Sequence, residues 1–354
     1  MQKTLLWLLP AVLSAPLLAQ VPVHEDPAAP AEAKPAEPVR GGAAWGKAQR
    51  LMGGEWLADA HYPRKTFLRF LPGSANTSMW VETRDKDELD APLPAVSAWY
   101  LDPVAGEVRS VTVGGNGSFA QGRMHWEGET LVNEIRYQMN DGTLIDGAVQ
   151  VRSYNLVERR SFEADQAFRW QLFQKSDEGV TQLSETTFHR ERELTELTPV
   201  RKEESKPMEA LKPLVPLIGA LGDGQGMDWT GAWRSSGRAL WVERTLPNPL
   251  REGPLHVTGF YFHNGFENRL EFLGFSDHGD LILGNCTLKP GGIIETAMRV
   301  TPPEGEVEDL LDPKTWGRIG ETLTPMGEEG VQAGWVVVAP GKEPKVISTL
   351  FKGR

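Results

Sequence analysis

The sequence has one cysteine, Cys286, in 354 residues. No disulfide can form within the chain, so packing must hold it even in an oxidising compartment, and a small disulfide-stapled scaffold is excluded. Basic runs are missing as well. A formal net charge of -11 opposes attraction to phosphate backbones and argues against a nucleic-acid partner. The seven histidines, among them His61, His125, His189, His256 and His263, are scattered, without the close i, i+2 or i, i+4 spacing that prepares a transition-metal site. Neither a metal nor a cofactor is therefore expected. Helical periodicity is scarce, and past the N-terminus no stretch is apolar enough to span a bilayer as a helix.

What is present begins with MQKTLLWLLPAVLSAPLLAQ, in which Lys3 precedes a proline-interrupted apolar run from Leu5 to Leu18. The charge, the run length and the small Ala19 before Gln20 read as a cleaved export signal over residues 1–19, which implies a periplasmic or secreted protein. Residues 20–43 are dense in Pro, Ala and Glu with little to bury, the composition of an extended, solvated tether. The remainder is longer than one core usually serves and suits two domains.

The phrase SMWVETRDKDEL from Ser78 returns as ALWVERTLPNPL from Ala239, an offset of about 160 residues that reads as an internal duplication. Trp80-Val81-Glu82 falls on Trp241-Val242-Glu243, and VSAWYLDP from Val96 falls on VTGFYFHN from Val257. Both halves are made of short runs rich in Val, Thr, Tyr, Phe and Trp, bounded by Gly, Asn, Asp and Pro, which is the signature of antiparallel strands joined by hairpins. Asn116-Gly117 and Asn140-Asp141-Gly142 are turn signals, because these residues tolerate the positive φ of tight hairpins. Alternation gives each strand one buried face, as where Phe168, Trp170 and Leu172 oppose Arg169 and Gln171. About eight such strands per half must stack or curl, and closure removes the exposed edges. The expected fold is all-β: two tandem antiparallel barrels over 44–192 and 216–354, joined by a short, partly helical linker over 193–215. The best helix candidate there is Lys202 to Leu211.

Leu51-Met52-Gly53-Gly54-Glu55-Trp56, with Arg190 after the last strand of the first half, resembles the lipocalin or calycin arrangement, in which a Trp on the first strand is covered by an Arg from the last. It is also similar to bacterial lipocalin-like domains of unknown function, which open on a Leu/Met-x-Gly-x-Trp phrase. The resemblance implies barrels that hold a small apolar or amphiphilic ligand in their mouths. The second half departs from the pattern, since Pro216-Leu217-Ile218-Gly219 has no Trp, and its first strand is expected to be degenerate.

Trp80 and Glu82 share a strand face, as do Trp241 and Glu243. Facing inward, each pair would grip a ligand by stacking and by a hydrogen bond or ion pair. Facing outward, they would leave Met79 and Val81 to fill the first interior, with each Glu solvated or paired. Trp80, Glu82, Trp99 and Tyr100 in the first half, and Trp241, Glu243 and Tyr261 in the second, are the candidate ligand-lining residues. No catalytic set is assigned. Ser276-Asp277-His278 has the residue types of a hydrolase triad, but consecutive residues do not converge from separate elements, so the stretch reads as a turn. Gly219 to Gly226 lacks the Gly-Lys-Ser/Thr ending of a phosphate loop and reads as a flexible entry to the second barrel. Cys286 reads as a small packed hydrophobe. Two alternatives to a ligand carrier stay open: an enzyme with Glu82 or Glu243 as general base, and an interaction module of the cell envelope whose barrels are filled by their own side chains.

Overall fold

A computed structural model describes residues 41–59, 66–85, 95–145, 148–193, 207–306 and 309–353. The export signal, most of the tether, and residues 194–206 of the linker lie outside the described residues. Ten strands form the first sheet: β1 (Gly54–Ala58), β2 (Thr66–Pro72), β3 (Ser78–Asp85), β4 (Ala95–Asp102), β5 (Glu107–Gly114), β6 (Phe119–Glu127), β7 (Thr130–Ile145), β8 (Ala148–Ala164), β9 (Ala167–Ser176) and β10 (Gly179–Glu193). Each pairs with its sequence neighbour, and β1 closes the ring on β10. The second sheet repeats this plan with β11 (Gly219–Gly222), β12 (Asp228–Arg234), β13 (Ala239–Pro247), β14 (Pro254–Asn264), β15 (Arg269–Ser276), β16 (Leu281–Lys289), β17 (Ile293–Thr301), β18 (Gly317–Pro325), β19 (Val331–Val338) and β20 (Lys345–Gly353). Every pairing is antiparallel. The fold is all-β, two closed antiparallel barrels.

Ten strands per barrel replace the eight expected. The first strands explain part of the shortfall: β1 has five residues and β11 only four, GALG, too few and too small to show alternation. Gly219 to Gly222 is thus a strand seated between β12 and β20, not a flexible entry. The glycines just after it lie in a turn held by the Asp223 carboxylate, which accepts the N–H groups of Gln225 and Met227 and the Thr349 hydroxyl.

A helical segment packs into each core just before its first strand. Helix α1 (Gly41–Ala48) and the 3₁₀ turn Gln49–Leu51 bury Ala44, Trp45, Ala48 and Leu51 in the first barrel's core, where Trp126 Nε1 donates to Ala44 O at 2.9 Å. Of the helix candidate Lys202 to Leu211, residues 202–206 lie outside the described residues; its last three open a 3₁₀ helix, Glu209–Leu217. Pro213 and Pro216 within it remove donors that an α-helix needs. Its Leu211, Leu214 and Leu217 enter the second core, and Trp229 Nε1 donates to Leu217 O at 2.7 Å.

Closure of the first ring is reinforced from both faces. Inside, Trp56 lies opposite Arg190 in the β1–β10 ladder, and the Arg190 guanidinium covers its ring at 5.6 Å. On the other face of β1, the nearly buried Glu55 takes Arg69 from β2 at 2.5 Å and Arg192 from β10 at 2.8 Å. Burial pushes the Glu55 carboxyl up, but hydrogen bonds from Arg192 and Arg69 and their charge outweigh it and hold the pKa below its ordinary 4.5. A depressed carboxylate pKa contributes stability that is complete above the unfolded value and is lost as pH falls through the folded one. The variant E55Q is expected to lose about 2 kcal/mol at neutral pH and to show a smaller further loss on acidification than the parent. Melting curves of both proteins from neutral to acid pH check this.

The barrels meet through corresponding faces. In the first, the outward side of the β3–β4–β5 ladder presents Trp80 opposite Ala98 opposite Val111. In the second, β13–β14–β15 presents Trp241 opposite Phe260 opposite Leu273. These residues, with Tyr100, Val113, Phe119, Phe262, Phe275 and Leu281, form a third buried cluster, centred on Trp80 and Trp241 with ring centroids 4.3 Å apart. The flanking turns also reciprocate. Thr77 Oγ1, just before β3, donates to Gly279 O in the β15–β16 turn at 3.1 Å, while Gly117 in the β5–β6 turn lies against Arg238, just before β13. A contact that uses the same surface on both partners has near-two-fold character.

Candidate functional site

The first barrel's inward face is mostly apolar, but β8 carries Glu158 and Arg160 among the inward Leu156 and Phe162. Alternation forces this, since residues two apart on a strand share a face. Both side chains are 5% exposed. Arg160 Nη2 donates to Glu158 Oε1 at 2.5 Å, Trp170 Nε1 from β9 donates to the same oxygen at 2.5 Å, and Asn133 Nδ2 from β7 reaches Oε2 at 3.4 Å. The Trp99 ring centroid lies 4.6 Å from the Arg160 guanidinium carbon. Nε and Nη1 of Arg160 are buried and have no hydrogen-bond partner. Burial pushes the Arg160 pKa down, partly opposed by the Glu158 charge.

This cluster borders a cavity of about 60 Å³, whose walls include Trp99, Ala120, Leu156, Phe188 and the hydroxyls of Ser97, Ser110 and Thr112. Glu158 and Arg160 are its only charged lining residues among the described residues. That volume admits a few water molecules or a very small ligand, against the roughly 300–1,000 Å³ of pockets that enclose drug-sized molecules.

The second barrel holds a related cluster, more completely satisfied. Arg244 on β13 and Glu321 on β18 are both 0% exposed. Arg244 Nη1 donates to both Glu321 oxygens at 2.9 Å, Trp335 Nε1 adds a bond to Oε1 at 3.0 Å, and the Tyr261 hydroxyl one to Oε2 at 3.2 Å. Arg244 Nη2 meets Met298 Sδ at 3.3 Å. Its Nε alone lacks a partner, and the rings of Trp229, Tyr261 and Phe272 surround the guanidinium at 4.5–5.5 Å. Burial works against the Arg244 charge, but Glu321 outweighs it and holds the pKa above its usual range, while burial drives the Tyr261 phenol up. A Trp-to-carboxylate bond between adjacent strands thus recurs, with the arginine supplied from a different strand.

The seven candidate residues separate into three environments. Trp99 lines the first interior and Tyr261 belongs to the second core. Trp80, Tyr100 and Trp241 lie between the barrels; on β3 it is Met79 and Val81 that face inward. Glu82 is buried on the outward face of β3 opposite Arg69, and Glu243 is exposed on β13. Neither carboxylate shares an interior with a Trp.

Glu158, Arg160, Trp170, Arg244 and Glu321 carry the interior chemistry and were not among those candidates. Their signal is a charge in the apolar parity class of a strand: Leu156, Glu158, Arg160, Phe162 on β8; Leu240, Val242, Arg244, Leu246 on β13; Ile319, Glu321, Leu323 on β18. Ser276-Asp277-His278 lies at the β15–β16 turn, where Ser276 Oγ donates to Asp280 Oδ2 at 2.6 Å. Cys286 is buried, which pushes its thiol up to about 12, and it accepts a hydrogen bond from Thr296 at 3.5 Å. A larger cavity, about 410 Å³, opens between the barrels; on its wall Arg109 is paired with Asp102 and Glu107 and Arg269 with Glu271, while Arg299 lies 4.7 Å over the Trp316 ring with its buried Nε unpartnered. Among the described residues no group of three or more His, Cys, Asp or Glu is placed to hold a metal ion, and no helix is long and apolar enough to cross a membrane.

No protein-family model and no curated protein matches the chain. Among solved structures it is similar to a protein with unknown function from the DUF3598 family of Nostoc punctiforme, at 9% identity and a TM-score of 0.19, over 88% of this chain and 99% of that one.

Proposed function

We propose that this is an exported protein whose first barrel binds a small apolar or amphiphilic molecule, while the second is filled by its own side chains and serves as scaffold. The observation that carries the reading is the difference between the two interiors. Around Glu321 every carboxylate lone pair is used, and aromatic rings enclose an arginine with one unpartnered nitrogen, whereas Arg160 keeps two buried nitrogens without partners beside a cavity. Buried polar groups of native proteins are nearly always paired, so such atoms point to a missing partner. The calycin kinship rests on Arg190 over Trp56, and the tandem duplication on the matched plug, ladder and docking face of each barrel. Export rests on the N-terminal sequence.

Calorimetric titration with ethanol tests the binding reading. One site per chain is expected, and it should disappear in A120L, which adds three carbons to the first cavity at a stability cost of about 1–3 kcal/mol. Absence of binding, or binding indifferent to that substitution, would refute it.

A further inference from the structure

The cavity's charge balance restricts what it can hold. Glu158 and Arg160 are one negative and one positive group, both buried, bonded to each other, and among the described residues no third charge lines the space. A ligand bearing a full charge would bring an ion into this setting with no counter-ion of its own, the arrangement proteins tolerate least. Arg160 can only donate, and two of its nitrogens have nothing to donate to. Trp170 Nε1 and Asn133 Nδ2 are already turned toward Glu158. The unmet demand is therefore for an acceptor oxygen.

Resting on the binding reading above, we propose that the first barrel selects a small uncharged molecule presenting a carbonyl-type acceptor to Arg160, and discriminates against the carboxylate of the same size. An amide, ketone or ester with a body of a few carbons fits this description. Its oxygen would accept from the guanidinium, and its apolar part would lie among Leu156, Ala120 and Phe188. The Glu158–Arg160 pair then stays intact on binding, and no proton needs to move.

Acetamide, acetate and propane, titrated separately against the intact protein at neutral pH, decide the matter. Tryptophan fluorescence would report on Trp99 and Trp170. Acetamide is expected to bind at least tenfold more tightly than either of the others. The double variant E158L/R160M, which removes both charges and leaves none unpaired, should lose the preference of acetamide over propane. If that variant does not fold, the comparison on the unaltered protein still decides. Acetate binding as well as acetamide would overturn the charge argument and leave the binding site standing. Propane binding as well as acetamide would overturn the role of Arg160. Failure of all three to bind would remove the binding reading itself.

Discussion

Replacing Glu321 with alanine is expected to destabilise the second barrel by about 3–5 kcal/mol, because the Arg244 guanidinium would stay buried with no counter-ion. Whole domains are stable by only about 5–15 kcal/mol, so this one change removes a large part of the margin. The loss is a property of the broken pair, not a measure of what the pair contributes. Its two charges were withdrawn from water at a cost that their 2.9 Å contacts must first offset. The double variant R244M/E321L should therefore recover most or all of the stability, since apolar side chains of similar volume often replace a buried ion pair without loss. Urea denaturation followed by fluorescence checks both. A loss under about 1 kcal/mol for E321A would mean that Arg244 finds water or another acceptor, and the second interior would not be closed.

The variant W80A is expected to cost about 3–5 kcal/mol, although Trp80 touches neither interior. Its ring lies 4.3 Å from Trp241, 5.4 Å from Phe275 and 5.7 Å from Phe260, so truncation opens a void in the layer the barrels share. W241A should behave similarly. Because the two rings are in contact, the double variant is expected to cost less than the sum of the singles by about 1 kcal/mol. Thermal unfolding should also change character. With the shared layer intact the barrels melt together; with both tryptophans gone, two separate transitions are expected. Additive single effects with one sharp transition throughout would place the coupling elsewhere.

Most of the architecture is legible in the sequence. Alternation in FRWQLFQ and Asn116-Gly117 in the β5–β6 turn foretell antiparallel strands, and the repeated Trp-Val-Glu phrase marks the third strand of each ring; Asn140-Asp141-Gly142, expected as a turn, instead lies within β7 where its register with β8 shifts, because an irregularity in a long strand recruits the same permissive residues as a hairpin. Short strands without large side chains escape such reading, which is why Gly219–Gly222 looks like loop. The sites are harder. Trp80 and Trp241 invite a ligand role because they are large and repeated, yet around these two residues both faces of β3 and β13 are buried, one by the barrel's own core and the other by its neighbour. Periodicity assigns the faces but cannot say which looks inward when neither meets water. Glu158 and Glu321 are hidden for the opposite reason: ionic residues within a strand suggest a solvated face, and only the parity of their apolar neighbours shows that they point into an interior.

The most direct test of an open first barrel beside a filled second one is a crystal of the intact protein soaked in acetamide. Ligand density beside Arg160, with the Arg244–Glu321 cluster unchanged, is the expected result. Density inside the second barrel, or only in the cleft between the barrels with the first interior empty, would contradict it.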